Sequence, residues 1–277
     1  MPLLATVMIQ LDSPPFVIVG SLETRMKTKV APPTSPNTSR VSPWLAQLVY
    51  PLGSYVVLPF FFSKLEVIGQ ENLPTTGPVI LAPTHRSRWD ALLVPYATGR
   101  MVTGRDLRFM VSADEVRGVQ GWFICRLGGF AIDTKHPAIS TLRHGVELLQ
   151  AGEMMVIFPE GNIFRDGTVH PLKPGLARIA LSAESSQPGL GIKIVPINLS
   201  YSQPYPHWGC EVKIRIGSPI SVADYNTGSI KQNAKALTTD LEAALNALNA
   251  HEAELPTVQA SEVKSNDSLS DDSIASF

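Results

Sequence analysis

His85 and Asp90 stand five positions apart, directly after a short apolar run, in the stretch LAPTHRSRWD of residues 81–90. On a helix, residues five apart lie roughly 140° apart around the axis, so these side chains could not meet on one face. They can meet if a strand over 79–82 ends in a turn and a helix begins near Ser87. An imidazole held by a carboxylate can then accept a proton from a hydroxyl group at neutral pH.

The same letters have a purely structural interpretation. Ser87 and Asp90 have the spacing of a capping box, in which Ser87 caps the helix and the carboxylate returns a hydrogen bond to it. His85 would then be an ordinary turn residue. Asp90 could also serve both tasks, with one carboxylate oxygen for each.

A carboxylate follows a second apolar run, because Pro159, Glu160 and Gly161 come directly after the predicted strand 154–158. Proline fixes the backbone before the carboxylate and glycine permits an unusual conformation after it, so Glu160 could be held toward a hydroxyl group of a ligand. The alternative is a plain turn with a solvated glutamate. Arg165 and Lys173 follow within the next thirteen positions.

Basic residues flank a third predicted strand, residues 130–132, with Arg126 before it and Lys135 after it. These basic groups could hold a phosphate, or they could be solvated charges beside a helix stop at Gly128. Pro196 interrupts a further apolar run, and proline in a strand predicts an edge, a bulge or a bend.

These residues require a scaffold in which short strands alternate with helices. The pattern predicts an α/β fold, with a mostly parallel central sheet flanked by helices and right-handed crossovers. Such sheets bind ligands at the carboxyl ends of their strands. The predicted strands are 79–82, 107–111, 130–132, 154–158, 192–199 and 211–216, and the predicted helices are 88–97, 119–127, 137–150, 174–184 and 231–250.

Residues 44–62 contain no charged side chain, although Pro51, Gly53 and Pro59 interrupt them. We predict a kinked helical segment at a membrane interface, where its tryptophan and tyrosines suit the headgroup level. A buried or docking helix with a proline break explains the pattern equally well. The predicted organisation is a flexible segment over 1–43, this membrane-interacting segment over 44–63, a catalytic domain over 64–250 and a disordered acidic tail over 251–277.

Composition narrows the function classes. The formal net charge is -1, but basic residues outnumber acidic ones up to residue 178, and acidic residues outnumber basic ones after it. Anionic ligands are therefore expected to bind the first part of the chain. No nucleic acid is expected as a partner. The two cysteines lack metal-ligand spacing, so we expect neither a metal site nor disulfides, and a reduced compartment.

In this order along the chain, four stretches resemble the glycerolipid acyltransferase family. That family includes 1-acyl-glycerol-3-phosphate acyltransferases, glycerol-3-phosphate acyltransferases and tafazzin-like enzymes. The stretches are His85 with Asp90, Gly129 to Lys135, Phe158 to Gly161, and Val195 to Ile197. The resemblance covers roughly residues 64 to 220, and the residue after Gly161, Asn162, is closer to tafazzin-like or divergent members.

The resemblance implies roles for the matched positions. His85 would be the general base on the acceptor hydroxyl, and Asp90 would orient it. Glu160 and Gly161 would belong to acceptor binding. The arginines that the family uses for phosphate are displaced here, which leaves Lys135 and Arg165, with Arg126 and Lys173, as the expected substrate-binding basic residues.

The implied activity is transfer of a fatty acyl chain from acyl-CoA or acyl carrier protein to a lyso-glycerolipid, above all 1-acyl-glycerol-3-phosphate. No cofactor besides the acyl thioester is expected. The resemblance implies a membrane-associated enzyme with its catalytic domain on the cytoplasmic side. Glycerol-3-phosphate or another lysophospholipid as acceptor, a catalytically silent lipid-binding protein of the same fold, and a thioesterase that uses His85 to activate water are the alternatives.

Overall fold

An eight-stranded sheet forms the centre of the protein. The structure is a computed structural model that describes residues 41–133, 139–225 and 228–253. Within these ranges the strands are β1 Lys64–Ile68, β2 Val79–Pro83, β3 Leu107–Ser112, β4 Gly129–Ile132, β5 Met154–Val156, β6 Lys193–Tyr201, β7 Glu211–Ile216 and β8 Ile220–Ser221.

The strand order along the sheet is β1-β7-β6-β2-β5-β3-β4, with β8 also paired to β6. Every pairing is parallel except those of β6 with β7 and with β8. The prediction of a mostly parallel sheet is therefore confirmed. Because β2 and β5 are neighbours, the turns after these two strands lie side by side at one edge of the sheet.

Helices cover both faces of the sheet. They are α1 Pro43–Leu52, α2 Leu58–Phe61, α3 Asp90–Thr98, α4 Arg100–Thr103, α5 Gly118–Arg126, α6 Ile139–Gln150, α7 Gly175–Ser186 and α8 Ile230–Ala253. Side chains of α6, α7 and α8 form one apolar core with alternate residues of the strands, and those of α2 and α3 form the other. All five residues of β2 are buried, as expected for a parallel strand with both faces covered.

The predicted helices and strands are present, and most of their ends differ from the prediction by one or two residues. Strand β5 ends at Val156, two residues earlier than predicted, because the chain turns into the Pro159 loop. The predicted helix over 137–150 begins at Ile139 in the described part, and Pro137 lies outside it. The strands β1 and β8 were not predicted.

Pro196 lies in a central strand, although the sequence predicted an edge, a bulge or a bend. The explanation is a change of partner along one side of β6. Strand β8 pairs with Lys193 and Ile194, and β7 pairs with residues from Ile197 onward. Pro196 lies between the two pairings, where its missing N–H is not needed for the ladder, while its carbonyl accepts a hydrogen bond from the Gly217 N–H.

The apolar segment near the start of the described chain is one continuous helix from Pro43 to Phe61. A π-helical turn over Gly53–Val57 joins α1 to α2, and it follows Pro51, whose ring and missing N–H disturb the regular ladder. The helix has 19 residues and a mean hydropathy of 1.3, which makes it long and apolar enough to cross a membrane.

The two faces of this helix differ in burial. Leu45, Ala46 and Leu58 are buried against the domain, so part of the helix docks. Large apolar side chains on the opposite side are exposed, namely those of Trp44, Leu48, Tyr55, Val56 and Phe60.

The predicted domain limits differ slightly from the structure at both ends. Ser42 donates its N–H to the Arg126 carbonyl, Val41 forms a bridge with Leu127, and Pro43 begins α1, so three residues assigned to the flexible segment are part of the fold. Helix α8 continues to Ala253, three residues into the predicted tail. Residues 1–40 and 254–277 lie outside the described residues.

Candidate active site

The turn after β2 brings the His85 and Asp90 side chains together. His85 Nδ1 and Asp90 Oδ2 are 2.9 Å apart, and the carboxylate has no exposed surface whereas 20% of the imidazole is exposed. The five-residue spacing is bridged as expected, because the chain turns between the strand and the helix. The pair lies at the carboxyl end of β2.

The hydrogen bonds of Asp90 determine the tautomer of His85. Oδ2 also accepts the backbone N–H groups of Arg86, at 2.7 Å, and of Ser87, at 2.9 Å. An ionised carboxylate can only accept, so His85 Nδ1 carries the proton and Nε2 has the free lone pair. Nε2 makes no hydrogen bond within the described residues and is the atom available to a substrate.

Only half of the predicted capping box accompanies the pairing to His85: Asp90 Oδ2 accepts the Ser87 N–H, but the residue before the helix is Trp89 and Ser87 does not cap it. The helix begins at Asp90 itself, later than predicted, and the Ser87 Oγ accepts a hydrogen bond from the Trp89 N–H. The expected division of one oxygen for each task is wrong, because Oδ2 binds both His85 and the Ser87 N–H. The other oxygen, Oδ1, accepts a hydrogen bond of 2.5 Å from the Tyr201 hydroxyl.

Glu160 lies behind His85, and its side chain has no exposed surface. Oε2 accepts the His85 N–H at 2.7 Å, and Oε1 accepts the His170 N–H at 3.0 Å. The expectation of a carboxylate facing a ligand, and its alternative of a solvated turn residue, are both wrong. Glu160 connects the turn after β5 to the turn after β2 and fixes the backbone that carries the imidazole.

Arg86 neutralises Glu160 in this interior position. Its Nη1 lies 3.0 Å from both carboxylate oxygens, and only 5% of the arginine side chain is exposed. The same Nη1 lies 3.5 Å from the Phe164 carbonyl, and the Phe164 N–H donates to the His85 carbonyl at 2.9 Å. The loop that follows Gly161 is thereby bound to the turn that carries His85.

This loop, residues 161–174, has an internal ion pair close to the site. His170 Nε2 lies 2.7 Å from Asp166 Oδ2, and the imidazole stacks on the Phe164 ring with a centroid distance of 3.7 Å. The hydrogen bond from His170 lowers the pKa of Asp166 to about 2. The carboxylate is therefore ionised at neutral pH and restrains the loop.

Gly161 leaves space for the Lys173 side chain to cross the turn. Its φ is +69°, in the left-handed region, and an added Cβ would lie 2.6 Å from Lys173 Nζ and 2.7 Å from Cε. The Lys173 N–H also donates to the Pro159 carbonyl at 2.8 Å. The backbone conformation thus favours glycine, an added Cβ would displace the lysine side chain, and the ammonium group lies next to the turn that carries Glu160.

Replacing Gly161 with alanine is expected to lower the free energy of unfolding by about 1–2 kcal/mol, since an L-residue is disfavoured in this conformation. It should also raise KM, because the Cβ displaces Lys173. Gly167→Ala is the matched control: φ is +73° there, and an added Cβ meets no atom within 4 Å. Both stabilities follow from denaturant unfolding, and equal KM values for the two variants would contradict a role of Lys173 in binding.

The remaining predicted substrate-binding residues do not all reach this region. Arg165 follows Phe164 and lies near the site, with its guanidinium carbon 5.0 Å from the centre of the Tyr205 ring. Arg126 comes before β4 and so lies toward the amino end of that strand, whereas the His85–Asp90 pair lies at the carboxyl end of β2. Its guanidinium lies over Trp122, and its carbonyl binds Ser42, so it belongs to the contact with the N-terminal helix. Lys135 lies outside the described residues.

Aromatic and hydroxyl groups complete the surroundings of the pair. The His85 ring stacks on Phe158 with a centroid distance of 4.0 Å. Thr84 is fully buried, accepts the Leu199 N–H at 2.9 Å and lies 3.3 Å from the Asn198 side-chain oxygen. Threonine at this position therefore connects the end of β2 to β6.

Sequence reasoning missed Tyr201 and Arg86. Tyr201 is the last residue of β6, and the predicted strand ended two positions before it. Placing the carboxyl ends of β2 and β6 together would have brought its hydroxyl near Asp90. Arg86 adjoins His85 in sequence, but nothing local indicates that its partner, Glu160, is 74 positions away.

Comparisons with known proteins agree with this fold. Residues 64–200 match the family model described as Acyltransferase. The 1-acyl-sn-glycerol-3-phosphate acyltransferase of Bacillus subtilis is 26% identical over 184 residues, which are 64% of this chain and 84% of that protein. The chloroplastic 1-acyl-sn-glycerol-3-phosphate acyltransferase BAT2 of Brassica napus is 27% identical over 53% of this chain, which spans only 39% of that relative.

Other relatives and a solved structure extend the comparison. Mitochondrial glycerol-3-phosphate acyltransferase 1 of Mus musculus is 26% identical over 51% of this chain and 18% of its own length. The crystal structure of the 1-acyl-sn-glycerophosphate (LPA) acyltransferase PlsC from Thermotoga maritima has the same fold, with a TM-score of 0.55 and 20% identity over 74% of this chain and 80% of that one.

The matched family model places the chain among acyltransferases, and the PlsC crystal structure shows that the fold is the same. More particularly, the chain belongs to the glycerolipid acyltransferase family and is similar to its 1-acyl-sn-glycerol-3-phosphate acyltransferases.

Proposed function

We propose that the protein transfers a fatty acyl chain from an acyl thioester, acyl-CoA or acyl carrier protein, to the free hydroxyl of 1-acyl-glycerol-3-phosphate. The observation that carries this proposal is the His85–Asp90 pair, in which Nδ1 is bound and Nε2 is open. The acyl thioester is a co-substrate, and the scheme uses no other cofactor.

His85 Nε2 accepts the proton of the acceptor hydroxyl while the hydroxyl oxygen attacks the thioester carbonyl carbon. The C–O bond forms, the C–S bond breaks, and the imidazolium returns the proton to the departing sulfur. The products are an ester and a free thiol. Asp90 keeps the imidazole in the required tautomer and stabilises its charged form, as the acid of a catalytic triad does.

Two basic side chains support a phosphorylated acceptor. Lys173 crosses the turn at Gly161, and Arg165 extends from the loop bound to the His85 carbonyl through Phe164. We assign phosphate binding to these two residues, because a guanidinium and an ammonium are both suited to phosphate oxygens. Glu160 and Gly161 act indirectly, through the backbone of His85 and the path of Lys173.

The glycerol-3-phosphate acyltransferase relative favours a second acceptor, glycerol-3-phosphate. The discriminating experiment measures thiol release from acyl-CoA and from acyl carrier protein with a panel of acceptors: 1-acyl-glycerol-3-phosphate, glycerol-3-phosphate and lysophospholipids. We expect the highest kcat/KM with 1-acyl-glycerol-3-phosphate. Thiol release without any acceptor would indicate a thioesterase, and vesicle binding without turnover on the whole panel would indicate a silent lipid-binding protein.

We place the protein at a membrane, with the catalytic domain on the cytoplasmic side. One described helix is long and apolar enough to cross a bilayer, and its exposed side carries aromatic residues. Phe60 contacts Trp208 of the β6–β7 loop at a centroid distance of 4.2 Å, and both rings are exposed. Tryptophan and phenylalanine side chains in this arrangement suit the headgroup boundary of a membrane, from which a lyso-glycerolipid would reach the site.

Replacing both Phe60 and Trp208 with serine is expected to lower vesicle binding about 10-fold, because two apolar rings are lost from the interface. Flotation of the full chain with anionic vesicles measures the bound fraction. Ile230→Ser is the control, since this side chain is equally exposed but belongs to α8, which packs on the opposite face of the sheet. A similar loss in the control would contradict this membrane surface.

A further inference from the structure

The Tyr201 hydroxyl contacts the one oxygen of Asp90 that His85 does not use. It donates to Oδ1 at 2.5 Å, while Oδ2 accepts from His85, Arg86 and Ser87. Burial and the adjacent Asp90 carboxylate raise the pKa of Tyr201 well above its usual value. The phenol therefore stays protonated over the working pH range and always donates.

We propose that Tyr201 is a positioning residue of the acyl-transfer site, which sets the orientation and the charge distribution of Asp90 and so the basicity of His85. This inference rests on the proposed function of the His85–Asp90 pair. Tyr201 affects His85 because the two side chains are donors to the same carboxylate. A strong hydrogen bond at Oδ1 withdraws negative charge from Oδ2. Tyr201 thus moderates how strongly Asp90 stabilises the imidazolium.

The surrounding rings fix the position of the phenol. The Phe62 ring lies 6.3 Å from the Tyr201 ring and 5.3 Å from Trp89, the residue before Asp90. Trp89 and Phe62 are each 3% exposed, and Tyr201, at the end of β6, is partly buried beside them. A hydroxyl held in this way has little freedom to leave Oδ1, which makes its effect on the carboxylate constant.

Other ionisable groups also lie near the His85–Asp90 pair. The Cys210 thiol lies beside Tyr201, and the Arg86–Glu160 ion pair lies on the other side of His85. A Tyr201→Phe substitution changes none of these groups. It removes only the hydroxyl, and the phenylalanine ring can occupy the same cluster.

In Tyr201→Phe, more of the carboxylate charge is directed to His85, and the protonated imidazole is favoured. We expect the midpoint of the His85 titration, followed by NMR of the full chain with labelled histidine, to move to higher pH. The acidic limb of kcat/KM should move in the same direction. The plateau of kcat should fall about 10-fold, because Oδ1 loses its donor and the carboxylate is no longer held in one orientation toward His85, while KM stays unchanged.

Tyr225→Phe is the matched control, because Tyr225 donates to Asp240 in the same way, at 2.6 Å, away from the site. It should leave the His85 titration and kcat unchanged. In an Asp90→Asn background, Tyr201→Phe should lower kcat no further. An unshifted His85 midpoint in folded Tyr201→Phe, or an equal shift in Tyr225→Phe, would overturn the proposal. Since the titration requires no turnover, it tests the role of Tyr201 even if none of the tested acceptors is acylated.

Discussion

His85→Ala is expected to lower kcat/KM for acyl transfer by about 10²- to 10⁴-fold, the range typical for loss of a general base. The nearby Asp90 and Glu160 carboxylates cannot replace it, because both are fully buried and bound by protein donors. Thiol release in the presence of 1-acyl-glycerol-3-phosphate measures the effect. The melting temperature shows whether the lost stacking on Phe158 also affects the fold.

Added imidazole provides the sharpest control for this variant. If His85 acts as a base, imidazole should restore part of the acceptor-dependent activity of His85→Ala but not of Asp90→Asn, where the histidine still fills the position. Undiminished acceptor-dependent activity in His85→Ala would exclude the proposed mechanism.

Glu160→Ala is expected to lower the free energy of unfolding by about 3–5 kcal/mol, the cost of leaving one charge of a buried ion pair without its partner. Arg86 would lose both of its carboxylate contacts, and the N–H groups of His85 and His170 would lose their acceptor. Activity should fall as well, because the backbone that carries the imidazole is no longer fixed. Denaturant unfolding of the full chain measures the stability.

Glu115→Ala is the matched control, because Glu115 forms an ion pair of similar length with Arg88 at the surface, where both side chains are more than a third exposed. Its cost should be at most about 1 kcal/mol. Arg86→Met combined with Glu160→Met should recover part of the stability lost in Glu160→Ala, since no unpaired charge remains. Equal losses at Glu160 and Glu115 would contradict the structural role of the buried pair.

Much of the scaffold could be predicted from local patterns. The apolar runs before His85 and Glu160 indicate strands β2 and β5, because a strand buried on both faces has an uninterrupted apolar sequence. Strand β1 gave no such signal, since Lys64 and Glu66 alternate with its apolar residues and its partner, β7, lies about 150 positions later. The position of Pro196 likewise depends on where β7 and β8 separate, which is a property of the sheet.

The site was less accessible to prediction because its hydrogen bonds join distant residues. The five-residue spacing of His85 and Asp90 is local, and their contact follows from a strand-turn-helix. The direction of the Glu160 carboxylate depends on Arg86, and the second oxygen of Asp90 depends on Tyr201, 111 positions later. Sequence patterns report the backbone around a polar residue but not which distant donor will face it.

The helix from Pro43 to Phe61 is not a detachable anchor. Its last residue, Phe61, stacks on Trp89 at a centroid distance of 4.2 Å, and Trp89 adjoins Asp90, which holds His85. Removing the helix to obtain a soluble enzyme would uncover this tryptophan and loosen the turn. Reduced activity of such a shortened chain would therefore say little about lipid binding, and substitutions on the outward face of the helix are the cleaner way to separate attachment from catalysis.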